Sequence, residues 1–347
     1  MLIIDAVKQE KATMSRDEFA KLYLESPWKK VLYIHTPYCP SKCKYCICKS
    51  VACSDQHKVD EYANQILIPQ IIAEASVLEN VAFSEVYFGG GTPTYMSPAV
   101  LKAVFDSIPN FKSIPNKCIE GSPNTIQQEH IYLFKSYDFN FVSVGVQSLQ
   151  KDVCSWQKRT YTSKLQLAHL SDVLRKNGIY FNYDLISYLG HGDFRDIPGF
   201  EEDLRFLMSE CRPSSINIHQ HHQTTYTTEK MIKLYEVMRN ALTEFSEYEC
   251  INSRLLDADA YNDIVYQAQY RFIREKRNYT HYMWNKYPEI PVLGWDIFAV
   301  GYTDSISPKS NAGNISYKPG NATFKRVTFN EALYEDYRLI RDEKGLE

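Results

Sequence analysis

The stretch "YIHTPYCPSKCKYCICKS", Tyr33 to Ser50, decides how this chain is read. Its start belongs to "VLYIHT" (31–36), an apolar run with the character of a buried strand. The rest places four of the chain's nine cysteines, Cys39, Cys43, Cys46 and Cys48, within ten residues. Three of them have the spacing C-x3-C-x2-C. Structural zinc usually takes two C-x2-C pairs or Cys with His, and no second pair exists here. Three thiolates in a compact loop suit three irons of a cubane cluster, leaving the fourth iron open to a small molecule. Cys48 as a fourth ligand would close the cluster into an electron-transfer site. The C-x2-C-x2-C-x3-C-P run of bacterial ferredoxins, however, is absent.

Outward from this loop the chain alternates short apolar runs with longer amphipathic ones. Strands are expected at "VLYIHT", "EVYF" (85–88), "KCIEG" (117–121), "FVSVGVQ" (141–147), "YFNYDLISYL" (180–189) and "SSINIHQ" (214–220). Helices follow each: the run beginning "HKVDEYANQIL", then "SPAVLKAVFDSI" capped by Ser97, and "NTIQQEHIYLFKS" capped by Asn124. The last three span about 163–177, 200–211 and 228–245. Six β-then-α units imply a parallel sheet with helical crossovers, either a partial barrel or an open doubly wound sheet. In a barrel the chemistry sits at the C-terminal ends of the strands. The cysteines, "GGGTP" and Glu120, Gln147 and Asp184 all lie at or near such ends. After about residue 248 the alternation stops, so a smaller α+β appendage is expected over 248–347. The barrel then occupies 29–247 behind an extension of residues 1–28.

Composition sets the outer limits. The 347 residues carry a net charge of -3, which gives no general basis for nucleic-acid binding. "MLIIDAVKQEKATMSRDEF" is too short in its apolar part and too charged for a signal peptide. No window holds the roughly 18 apolar residues of a transmembrane helix. A cytoplasmic protein without membrane or nucleic-acid partners is expected. In a reducing compartment, clustered Cys points to metal rather than disulfides.

"YIHTPYCPSKCKYC" resembles the cluster loop of radical S-adenosylmethionine (SAM) enzymes. It is most similar to the branch that includes oxygen-independent coproporphyrinogen III oxidase, and the resemblance runs over about 31–330. It implies a partial (β/α)6 barrel, a [4Fe–4S] cluster on Cys39, Cys43 and Cys46, and SAM chelated to the open iron. Such enzymes cleave SAM reductively to methionine and a 5'-deoxyadenosyl radical; the cofactor carries the chemistry and the protein supplies position and shielding. An electron donor of the flavodoxin or ferredoxin type and a small-molecule substrate are implied with it. Cys48 matches a further cysteine of the oxidases that is not a ligand.

The same resemblance carries over a SAM site. Gly89, Gly90, Gly91 and Thr92 match the turn whose carbonyls hold the SAM ammonium, and Glu120 of "CIEGSPN" matches a Glu-x-x-Pro. Gln147 falls in the Gly-Val-Gln-Ser match, Arg159 aligns with an arginine that grips the carboxylate, and Asp184 with an aspartate on the ribose. Two departures touch the substrate side: Phe141 stands where an arginine is usual, and "YLGHGD" replaces the usual "GLPGQ" turn.

"INIHQHHQ" places His219, His221 and His222 after the sixth strand, where His219 or His221 would contact substrate or move a proton. "GWDIFAVGYTDSIS" (294–307), with Ile306 at its end, resembles the segment beside a second SAM in the oxidases, although Thr280 stands where they carry Gln. The leading expectation is radical alkylation, most often methylation, of a small-molecule carbon using two SAM. Oxidative decarboxylation of a porphyrinogen and haem chaperoning are the alternatives.

Overall fold

The computed structural model describes residues 21, 24–25, 29–46, 48, 50–187, 196–221, 228–255, 266–272, 292–297 and 315–317. Its strands are β1 (Lys29–Thr36), β2 (Tyr38–Cys39), β3 (Val51–Ala52), β4 (Glu85–Gly90), β5 (Asn116–Gly121) and β6 (Phe141–Gln147). They continue with β7 (Tyr180–Ser187), β8 (Ser215–Gln220), β9 (Tyr248–Leu255), β10 (Tyr266–Phe272), β11 (Val292–Ile297) and β12 (Ile315–Tyr317). The chain divides into two compact units: residues 1–40, 48–119 and 280–347 form one, and 41–47 and 120–279 the other.

In the first unit β1 pairs in parallel with β4 on one side and β11 on the other. β5 continues from β4, and β12 from β11, again in parallel. The segment expected as an appendage therefore supplies β11 and β12 to the first unit, beside β1. Ser97 caps the helix Pro98–Ser107 as its sequence dictates, with its hydroxyl accepting from Val100 N. That helix buries Leu101, Val104 and Phe105, and Phe105 meets Phe88 of β4 edge-on at 5.1 Å. The helix after the cysteines widens into a π-turn over Ala63–Leu67 before continuing as Ile68–Ala73. Pro69 has no N–H to extend the ladder there, and a widened turn absorbs the defect.

The second unit holds β6, β7 and β8 in parallel, with β10 antiparallel to β8 and β9 antiparallel to β10. Ser163 and Gln166 form a reciprocal capping box on helix Lys164–Lys176, and Gly178, at φ 73°, ends it. The helix expected from Asn124 instead begins at Gln128, because Ser122 and Thr125 close a turn first. Gln127 and His130 then cap each other, and Asn124 is taken by Thr162, whose hydroxyl oxygen accepts from Nδ2 at 2.8 Å. The expected fifth helix runs Asp196–Phe206 with a π-turn over Leu207–Cys211.

The period of two gives the β6–β8 sheet two unlike faces. Val142, Val144, Phe181, Tyr183, Leu185, Ile216 and Ile218 form a buried apolar face. The helix Lys164–Lys176 packs on it, with Ser171 Oγ 2.6 Å from Tyr183 Oη. On the opposite face lie Ser143, Asn182, Asp184, Ser215, Asn217 and His219. All but His219 are also buried. A buried polar face is costly unless its groups pair, so it has to be organised by its own hydrogen bonds.

Candidate active site

The cysteine loop is tied at its base. Within the first unit β2 and β3 form a two-residue parallel ladder, Tyr38 with Val51 and Cys39 with Ala52. Val51 N donates to Pro37 O at 2.7 Å and Cys53 N to Cys39 O at 2.8 Å. Thr92, directly after the glycine turn, donates its hydroxyl to Cys39 Sγ at 3.3 Å. The glycines themselves answer to crowding. A Cβ on Gly91 would lie 2.4 Å from Tyr38 O and 2.8 Å from Thr36 O. Gly90, at φ 104°, sits over the His35 ring, and His35 Nδ1 is 3.1 Å from Tyr33 Oη. Thr36 Oγ1, buried beside this turn, has no hydrogen-bond partner among the described residues.

The second unit holds Cys43 and Cys46. Lys42 Nζ stands 3.8 Å from Cys46 Sγ. Arg159 Nη1 lies 3.8 Å from Cys43 Sγ and donates to Tyr45 Oη at 2.8 Å, while its other nitrogens donate to the Val146 and Gly145 carbonyls. Burial pushes the Tyr45 phenol well up, so it stays a neutral hydroxyl that can accept from the arginine. Lys44 N donates to Gln157 O at 3.0 Å, and Lys44 Nζ lies 3.9 Å above the Trp156 ring. The loop is thus anchored on the segment that carries Arg159.

Further along this unit, Gln147 ends β6 in a left-handed conformation, φ 69°, and its buried Oε1 has no hydrogen-bond partner among the described residues. Non-glycine residues in this region are strained, and a buried orphan oxygen adds to the cost. The turn after it is braced by Asp203, which accepts from Ser148 Oγ at 3.0 Å, Leu149 N at 2.8 Å and Gln150 Nε2 at 2.8 Å. Glu120 lies half-buried near the C-terminal end of β5. Asp184 accepts from Asn182 Nδ2 at 2.7 Å, Asn217 Nδ2 at 3.1 Å and Ser143 Oγ at 3.1 Å. His219 Nε2 lies 3.3 Å from the same carboxylate, and His221, just past β8, is buried. Ile306 with the rest of 298–307, Thr280, His222 and 188–193 lie outside the described residues, while 294–297 belong to β11.

The family model for the radical SAM superfamily matches residues 33–204. This chain belongs to the radical SAM superfamily. Oxygen-independent coproporphyrinogen III oxidase of Escherichia coli (strain K12) is 26% identical over 210 residues, 58% of this chain and 44% of that protein. Heme chaperone HemW of Buchnera aphidicola subsp. Schizaphis graminum is 26% identical over 169 residues, 48% of this chain and 44% of its own length. The chain thus spans under half the length of these two relatives. The solved structure of the E. coli coproporphyrinogen III oxidase matches with a TM-score of 0.63 at 20% identity, covering 82% of this chain and 68% of that one. The fold is therefore the radical SAM fold, a mostly parallel sheet with helices between strands.

The superfamily implies a [4Fe–4S] cluster and SAM. Among the described residues no three His, Cys, Asp or Glu side chains are gathered as a metal site, so the fit rests on donor chemistry. Each of the three sulfurs faces an N–H or O–H donor: Thr92 for Cys39, Arg159 for Cys43 and Lys42 for Cys46. Donors at sulfur favour thiolate over thiol and tune a cluster's potential. Cys48 is exposed, and its carbonyl accepts from Ser50 Oγ at 3.5 Å. The orphaned Gln147 oxygen suits a ligand that brings its own donors, as an ammonium or ribose hydroxyl does. Sequence reading missed Thr92 and Lys42 as sulfur partners, and Ser143, Asn182 and Asn217 around Asp184. All are long-range or polar residues whose role no local period reveals.

Proposed function

We propose that this chain cleaves SAM reductively and uses the resulting radical on a small-molecule substrate. When bound, the cluster supplies the electron that splits SAM into methionine and a 5'-deoxyadenosyl radical. Cys39, Cys43 and Cys46 would hold it, with Thr92, Arg159 and Lys42 placed as donors towards the three sulfurs. Carbonyls of Gly89, Gly90 and Gly91, with Glu120, Gln147 and Arg159, would hold SAM. The observation that carries this reading is the donor at each of the three sulfurs, which four unrelated thiols would not need.

For the reaction that follows, the relatives named as coproporphyrinogen oxidases favour hydrogen abstraction from the substrate itself, with oxidative decarboxylation of a porphyrinogen-type propionate. The buried polar face of β6–β8, with His219 at its more open end, suits a substrate bearing polar groups. Alkylation with a second SAM is favoured by "GWDIFAVGYTDSIS" and is the second reading. A one-electron protein of the flavodoxin or ferredoxin type is the proposed donor.

SAM carrying a deuterated methyl group separates the two. Decarboxylation leaves deuterium out of 5'-deoxyadenosine while substrate loses one carboxyl. Alkylation through a second SAM puts deuterium into 5'-deoxyadenosine and yields S-adenosylhomocysteine. Wild-type enzyme that forms no 5'-deoxyadenosine under reducing conditions would end the proposal as a whole.

A further inference from the structure

The end of β6 is a strained turn, and the residues after it show what holds it. β6 slips register against β7 between Gly145 and Gln147. Ser148 N then donates to Val146 O at 2.9 Å across Gln147, whose φ is 69°. A bond from residue i+2 back to residue i around a positive φ makes the strained γ-turn that chains rarely adopt. The Gln147 side chain folds back over Gly145, with Nε2 2.9 Å from where a Cβ on that glycine would stand. Its Oε1 is left buried, with no hydrogen-bond partner among the described residues.

Such a conformation persists only where its surroundings over-determine it. Before the turn, Arg159 donates from Nε to Val146 O at 3.2 Å and from Nη2 to Gly145 O. After it, a single carboxylate gathers three consecutive residues. Asp203 Oδ2 accepts from Ser148 Oγ at 3.0 Å and from Leu149 N at 2.8 Å, and Oδ1 accepts from Gln150 Nε2 at 2.8 Å. Gln150 N donates to Ser148 Oγ at 3.1 Å, which closes the set. Asp203 sits on the helix Asp196–Phe206, buried and far along the chain from the turn it holds. The fold keeps an acid there although burial pushes its carboxyl up to about 6. No apolar residue could accept from the three donors, and the Leu149 N–H would then be buried without an acceptor.

We propose that Asp203 is a positioning residue for Gln147: by gathering Ser148, Leu149 and Gln150 it holds the γ-turn that keeps the Gln147 amide in place for SAM. It acts without touching the ligand. This rests on the proposed function for the assignment of Gln147 to SAM. The binding step then meets a turn that folding has already ordered, so less ordering is left for the ligand to impose. The effect of losing Asp203 on SAM should therefore pass through Gln147.

The test is a double-mutant cycle on the full chain, reconstituted anaerobically with its cluster, with SAM affinity measured by calorimetry. Asp203→Ala should weaken SAM binding about tenfold in the native background and less than about twofold beside Gln147→Met. A merely structural residue would cost the same in both backgrounds. That result overturns the proposal, as does unchanged affinity in Asp203→Ala. Should Asp203→Ala not fold, Ser148→Ala removes one of the three donors and carries the same cycle. A loss of about threefold is then expected in the native background, and equal losses in both backgrounds again overturn the proposal. Amide exchange in protein without SAM gives a second reading. The Ser148 N–H, bonded to Val146 O, should exchange at least about tenfold faster in either variant, and an unchanged rate overturns the proposal whatever SAM does. If wild type binds no SAM, the proposed function falls, and the exchange rate still decides whether Asp203 holds the turn at Gln147.

Discussion

The glycine turn of the first unit and the end of β6 in the second both match motifs that hold SAM, yet they are built in opposite ways. At Gly91 the chain's own carbonyls occupy the space a Cβ would need, so folding alone demands glycine. At Gln147 no such crowding is seen: the backbone is left-handed, and Oε1 is buried without a hydrogen-bond partner among the described residues. One motif residue is explained by the packing of the chain itself, and the other is not. A motif match does not separate these cases, and an account of each polar atom does.

The largest effect expected belongs to the cysteine loop, where the chain's demands and the ligand's coincide. Cys39→Ala, Cys43→Ala and Cys46→Ala should each abolish cluster absorbance after anaerobic reconstitution, while Cys48→Ala retains it. Full cluster content in any of the first three would break the assignment.

Next comes Gly91→Ala. The atoms in its way are backbone carbonyls, which cannot swing aside as a side chain can. Overpacking of this kind costs about 3 kcal/mol. Urea denaturation should show that loss in protein without SAM. A loss seen only when SAM is present would mean that the turn is reserved for ligand, and the contrast with Gln147 would disappear.

Asp203 tests the brace behind Gln147. Burial pushes its carboxyl up to about 6, with the hydrogen bonds from Leu149, Gln150 and Ser148 pulling partly back. An unfolded aspartate titrates near 3.9, so between the two values the native chain binds more protons than the unfolded one. Stability on this account is full below about pH 4 and falls as pH rises through 6, by on the order of 1–3 kcal/mol. Denaturation midpoints compared at pH 4.5 and 7 should show that slope, and Asp203→Asn should flatten it. A slope of the opposite sign would mean that the hydrogen bonds outweigh burial.

The smallest effect expected is also the most discriminating. Gln147→Met keeps the length of the side chain and removes the orphan oxygen. Ligand-free protein should gain about 1 kcal/mol, since a buried unsatisfied acceptor no longer needs to be accommodated. SAM affinity should fall about tenfold or more in calorimetry, as a hydrogen bond to a charged group is lost. Destabilisation together with unchanged affinity would make Gln147 an ordinary structural residue.

Much of this was legible in the sequence, because apolar periodicity is local. The β/α alternation from Val31 to Phe245, the Ser97 and Ser163 caps and the stop at Gly178 all follow from residues close together in the chain. Asn124 misled because a good capping residue can be captured elsewhere, here by Thr162. The pairing of β11 with β1 was not legible, since it joins residues over 250 positions apart and short strands carry little pattern of their own. The sulfur donors were hidden for the same reason. Thr92 and Arg159 are far from their cysteines in sequence, and Lys42 reads as one more lysine in a basic loop.

The two-residue ladder between β2 and β3 has a consequence for how the cluster is acquired. It joins the two ends of residues 40–50, so the entropy of closing that segment is lost once, when the chain folds. Short flexible tethers hold groups at effective concentrations of the order of millimolar. On the proposed ligand set, iron captured by one sulfur would meet the next as an intramolecular partner, and cluster assembly would be a problem of ring closure more than of encounter.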